Sequence, residues 1–265
     1  MDNLRTVIVK PTIAAATQHA GNAADSHVLF DWTEIKDLKR ACKINGITTT
    51  VRGTDGEDQA VKGIDLLFAV SDKDGTAPTT LGDLFAAVDT PGWQNNLIGF
   101  AQVAEGDYSD GDLVYMTIAS TSLEGKEVIL SNPDRAKIYV AGIAKGAFAF
   151  STGVITSRAV DVSGLSAAQL VNADIEGTDP RSVFAPGDIV HAEDGIILGE
   201  VESMADANTI TFKADGSVTD SNTDYVVPAN LAAWKIQNGA AAAGDLASGD
   251  ELYNIHPITF RFHVG

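Results

Sequence analysis

Strict alternation of apolar and polar side chains is the feature that most narrows what this chain can become. In residues 258–264, Ile258, Phe260, Phe262 and Val264 alternate with Thr259, Arg261 and His263, a period of two that puts the two sets on opposite faces of a strand. The same period runs through Ile64, Leu66, Phe68 and Val70, and through Val114, Met116 and Ile118. Further strands are expected near residues 4–10, 27–32, 46–52, 97–104, 136–144 and 147–156. The dipeptides Asn45-Gly46, Asp55-Gly56, Asp74-Gly75, Asp110-Gly111, Asp194-Gly195 and Asp215-Gly216 supply the positive-φ positions of tight turns. Helix is expected only in short pieces. Leu81, Leu84, Phe85 and Val88 stand at helical spacing behind a Thr80 N-cap, and Ser163 to Val171 offers another such piece. Asp31 to Lys43 reads either as helix or as a strand end followed by an irregular turn.

A chain of 265 residues, 45% apolar, can bury a sizeable core. The expected class is all-β: an antiparallel β-sandwich or jelly-roll-like domain over residues 1–160, a second small β-barrel module over 161–250, and few short helices. The module is read from a three-stranded meander between Gly187 and Lys213, with further strands at Tyr225-Val-Val and Trp234-Lys-Ile-Gln. Residues 251–265 form a terminal strand expected to return to the first domain, which makes 161–250 an insertion. Residues 10–27 carry almost no large apolar side chain and are read either as an extended arm or as a solvated loop between strands.

The chain holds 36 acidic and 18 basic side chains, and residues 161–265 alone hold 16 acids against 4 bases. Nucleic acid is therefore not an expected partner, because affinity for phosphates comes from Lys and Arg displacing counterions. No run reaches the roughly 18 apolar residues of a membrane span, so no membrane partner is expected either. The start, Met1-Asp-Asn-Leu-Arg, lacks a signal-peptide pattern, and Cys42 is alone, which points to assembly in a reducing cytoplasm.

Candidate chemistry reduces to structural readings. Asp72 and Asp74, or Asp107, Asp110 and Asp112, could gather oxygen ligands for Ca²⁺, but neither set has the EF-hand spacing, and turn chemistry explains both. Glu200 and Glu202 alternate as polar-out residues of one strand, and Glu193 with Asp194 flanks a turn. Histidines 19, 27, 191, 256 and 263 form no metal doublet, and His191 and His263 are expected to face solvent or an interface. There is no Gly-x-Ser-x-Gly elbow or phosphate-binding glycine loop. No enzyme activity, cofactor or metal is expected. Trp32, Trp93 and Trp234 fall at strand ends or loops, where an indole can bury its ring and still donate a hydrogen bond.

The runs Ser26-His-Val-Leu-Phe-Asp-Trp-Thr-Glu-Ile, Val51-Arg-Gly-Thr-Asp-Gly, Gly63-Ile-Asp-Leu-Leu-Phe-Ala, Leu97-Ile-Gly and Ile138-Tyr-Val-Ala-Gly-Ile together resemble tailed-bacteriophage virion structural proteins of the capsid decoration, or cement, type. The resemblance spans residues 4–160 and rests on the order and character of strands. Residues 161–265, with Gly187-Asp-Ile-Val and Leu198-Gly-Glu-Val-Glu-Ser, are similar to small β modules appended to such proteins, which shorter members lack. It implies a protein on the outside of the assembled head, bridging subunits of the major capsid protein, as a homo-oligomer such as a trimer. The interface residues expected on this reading are Pro11, Ile13, Trp32, Trp93, Trp234, Phe260 and Phe262, with the 10–27 arm and the terminal strand as contact elements. A tail or baseplate structural protein, and a glycan- or receptor-binding β module of the virion, stand as alternatives.

Overall fold

The computed structural model describes residues 5–36, 38, 41–52, 62–109, 116–131, 137–148, 150, 169–171, 180–192, 197–206, 209–212, 217–219, 224–226 and 252–265. Their strands, in chain order, begin with β1 (Arg5–Val9), β2 (Val28–Glu34), β3 (Ala41–Val51), β4 (Ile64–Val70) and β5 (Leu97–Val103). They continue with β6 (Thr117–Ser122), β7 (Val128–Ser131), β8 (Ile138–Ala144), β9 (Gln169–Val171), β10 (Ile189–Ala192) and β11 (Ile197–Asp206). The last are β12 (Thr209–Phe212), β13 (Ser217–Thr219), β14 (Asp224–Val226), β15 (Leu252–Asn254) and β16 (Ile258–Val264). Two short α-helices accompany them, α1 (Ala15–Ala20) and α2 (Pro180–Val183).

Two antiparallel sheets face each other as a sandwich. The first has the order β1-β16-β3-β6, with β7 beside the start of β3; the second has the order β2-β8-β4-β5. The final strand thus lies between the first and third, in register Phe262 opposite Val7 on one side and Ile47 on the other. This register sends Val7, Phe260, Phe262, Val264 and Ile47 inward to meet Phe30, Leu66, Phe68 and Val140 of the second sheet in one buried cluster. Aromatic rings bridge the layers: Phe30 to Phe260 at 5.5 Å between centroids, and Phe68 to Phe262 at 5.6 Å, edge to face. Fully burying such side chains contributes about 1.5–3 kcal/mol each.

A third sheet, β15-β10-β11-β12-β9, is antiparallel as well, and β13 pairs with β14. Its strands β10, β11 and β12 are the meander read from the sequence. The order is linear among the described residues, β15 and β9 being its two ends.

Three expectations change, and one left open is decided. Residues 80–88 form no helix. Gly82 and Phe85 take φ of +133° and +60°, and Val28 and residues 85–86 exchange two backbone hydrogen bonds that run the segment along the β2 edge. Leu81 and Phe85, which a helix would place on one face, enter different apolar clusters. Asn45-Gly46 is no hairpin turn; it lies inside β3, where the strand changes partner from β7 to β6 opposite a register shift in β16. Of residues 31–43, 31–34 continue β2, and 41–43 begin β3. Residues 169–171 are a strand rather than helix; the rest of 163–171, residues 151–156 of the expected 147–156 strand, and the Asp-Gly pairs at 55, 110, 194 and 215 lie outside the described residues, as does Val114.

Candidate functional site

The residues expected to make contacts divide sharply by exposure. Ile13, Phe260 and Phe262 are fully buried, and Pro11 is buried, all within the chain's own fold. They are core residues, which corrects their assignment as interface. The arm reading of 10–27 is corrected in the same way. Ile13 donates its N–H to Ile255 O at 2.8 Å, α1 carries a buried Gln18, and Ala23 pairs with Phe148. Ile13 and Ala23 of this segment join the buried cluster of the sandwich.

Trp32 and Trp93 are half-buried, 6.3 Å apart between ring centroids. Each Nε1 donates to a main-chain carbonyl, Trp32 to Thr79 O and Trp93 to Thr90 O, both at 2.8 Å. With Leu67, Leu81 and Ala141 they form a second apolar cluster that holds the 79–93 connection on the outer face of the second sheet. Trp234 lies outside the described residues.

Among the described residues, the large apolar side chains that are exposed are Ile8 (58%), Leu97 (39%), Phe100 (53%) and Ile129 (69%). All four sit on strands, β1, β5 and β7. Phe100 is opposite Leu67 and Leu97 opposite Ala69, on β5 at the edge of the second sheet.

Three of the cation candidates, Asp72, Asp74 and Asp107, accept local hydrogen bonds. Asp74 accepts the N–H and hydroxyl of Thr76, which hold its carboxyl below the usual carboxylate range, and Asp72 accepts Asn96 Nδ2 at 2.8 Å. Asp107 accepts Thr121 Oγ1 at 2.6 Å and Ala104 N at 3.0 Å. Asp110 and Asp112 lie outside the described residues. Among the described residues, no group of three or more His, Cys, Asp or Glu is placed to hold a metal ion.

Two strand residues expected to face outward are buried: Glu200, whose neighbour Glu202 is exposed, and His191. His263 is half-buried, its Nε2 2.9 Å from Thr48 Oγ1. Burial pushes the Cys42 thiol above its ordinary pKa, against a smaller opposing effect of Arg5. The Tyr108 phenol is raised further by burial and, secondarily, by the charge of Asp107, and its hydroxyl has no hydrogen-bond partner.

The most elaborate polar arrangement is one the sequence reading missed. Asp188, 5% exposed, accepts three hydrogen bonds at Oδ2: from Arg52 Nη1 (3.0 Å), Ala185 N (2.9 Å) and Asn254 Nδ2 (3.0 Å). Its Oδ1 faces Lys10 Nζ at 3.5 Å. Asn254 Nδ2 also donates to Val183 O at 3.0 Å, and its Oδ1 accepts His256 N at 2.8 Å. Its main-chain oxygen accepts Gln18 Nε2 at 2.8 Å, while the same amide donates to Ile13 O at 2.7 Å. His256 Nδ1 lies 3.0 Å from Pro11 O, which requires the tautomer protonated there. The available signal was Asn254 and His256 within the otherwise apolar Leu252-Tyr-Asn-Ile-His-Pro-Ile. Comparison with protein-family models, curated proteins and solved structures yielded no match.

Proposed function

We propose that this chain is a capsid decoration protein, which binds the exterior of an assembled tailed-phage head and stabilises it by bridging subunits of the major capsid protein. The observation that carries this reading is the presentation of Ile8, Leu97, Phe100 and Ile129 on strands of a rigid, acidic β-scaffold. Strand-borne side chains lose little freedom on docking, and covering each half-exposed side chain contributes roughly 1 kcal/mol. That is weak for one contact; repetition over a shell lattice, and within a homo-oligomer such as a trimer, converts it to strong net attachment. A protein that binds only the assembled shell stabilises that state by mass action, and its net charge of −18 repels packaged DNA. Contact through the 10–27 segment and the terminal strand is not part of this reading, since both are spent on the fold.

The test is co-sedimentation of the purified chain with expanded heads stripped of decoration. Wild-type protein is expected to pellet with the heads and raise their melting temperature, and the Phe100→Ser, Ile129→Ser double variant to lose both effects while keeping its own melting transition. Wild-type protein that stays in the supernatant, or a double variant that binds undiminished, overturns the reading.

A further inference from the structure

From the way Asp188 and Asn254 are held, we infer a lock that fixes the third sheet in one orientation on the sandwich and couples the two into one cooperative unit. This stands independently of the capsid reading. Four separate stretches of chain converge on the pair: residues 10–18, Arg52 at the end of β3, residues 183–188 entering β10, and residues 254–256 between β15 and β16. Lys10 and Arg52 come from the sandwich, whereas Asp188 and Asn254 precede β10 and end β15, two paired strands of the third sheet.

Three observations make the arrangement a lock rather than an ordinary contact. First, a carboxylate at 5% exposure is tolerable only with its charge paired and its oxygens satisfied, and its partners lie on both sides of the junction. Pulling the third sheet away therefore strips a buried charge of its cations. Second, Asn254 uses both side-chain polar atoms and its carbonyl at once, so it cannot rotate without breaking several bonds together. Third, the connection from β15 to β16 is three residues long and each is tied down. Ile255 O accepts Ile13 N at 2.8 Å, His256 Nδ1 meets Pro11 O, and Pro257 O accepts Arg52 N at 2.8 Å. A linker so short and fully bonded has no residue free to act as a hinge. Load applied to the third sheet passes directly into β16, which lies between β1 and β3 in the first sheet.

Peptide-resolved hydrogen exchange on the full chain, in low denaturant, tests this. In the wild type, peptides covering β10–β11 and β16 are expected to open together, with one common opening equilibrium. Asp188→Ala, which removes every acceptor, is expected to speed exchange in β10–β11 about a hundred-fold while β3 and β16 keep their protection. Asp188→Asn retains one acceptor oxygen and no charge; it is expected to give the same pattern at about ten-fold, and remains readable if the alanine variant does not fold. The inference is overturned if β10–β11 opens independently of β16 in the wild type. It is equally overturned if the variants leave β10–β11 protected, or if both regions accelerate alike.

Discussion

Gly142→Ala probes the packing of neighbouring strands within the second sheet, where the Phe30 ring lies across Gly142. Gly142 lies on β8 opposite Phe30 of β2, and a methyl group placed there would stand 2.2 Å from Phe30 Cε1 and 2.7 Å from Cδ1 and Cζ. Carbon atoms in contact need about 3.5–4.0 Å, so the ring must retreat by more than about 1 Å. It has little room to do so, because Phe30 is fully buried with Phe260 behind it at 5.5 Å between centroids. Overpacking a core costs about 1–3 kcal/mol, and a rigid ring held from both sides belongs at the upper end. With about 2–4 °C per kcal/mol for a chain this long, a loss of about 3 kcal/mol lowers the melting temperature by about 6–12 °C. Differential scanning calorimetry measures it. Gly106→Ala is the control, since a methyl group there meets open space; it is expected to melt within about 1 °C of wild type. Adding Phe30→Leu to Gly142→Ala is expected to cost less than the two single changes summed, because the smaller side chain vacates the space the methyl needs. A Gly142→Ala protein that melts with the control, or strict additivity in the double variant, refutes the placement of Phe30 over Gly142.

Thr49 points into the core between Phe260 and Ala119, fully buried, with its hydroxyl unpaired; Thr49→Val is expected to raise stability by about 1 kcal/mol in denaturant titration. Tyr108 keeps its proton to higher pH in the fold than in the unfolded chain, where a phenol ionises near about 10. Its contribution is therefore fully present below that pH and declines as pH rises through it, so wild type should lose melting temperature faster than Tyr108→Phe between about pH 10 and 11.5. Equal slopes would contradict the burial of that phenol. Trp32→Phe keeps the ring packing and removes the bond to Thr79 O; exchange in the 79–93 connection should quicken several-fold while β4 and β8 stay protected.

The sandwich was legible because burial on one face imposes a period of two that survives in composition: β16 reads as a strand from seven residues alone. What failed was local propensity overruled by pairing. Leu81 to Val88 has helical spacing, yet the β2 edge offers Val28 N–H and C=O as partners, and bonds to it leave no helix to form. Exposure of aromatic residues was misread for a related reason. Period two says which residues share a face, not which face is covered, and in β16 the phenylalanine face is the inner one. The Asp188 junction was illegible because its members are spread from Lys10 to His256, and their proximity is a product of the fold. Asn254 and His256 interrupting an apolar run were its only local trace.

Copy number and position in purified virions test the decoration reading most directly. Quantitative mass spectrometry against the major capsid protein, with a density map of the same particles, is expected to find hundreds of copies on the outer surface of the head, with Phe100 and Ile129 turned toward shell subunits. A few copies per particle, a position on the tail, or no copies at all would contradict it.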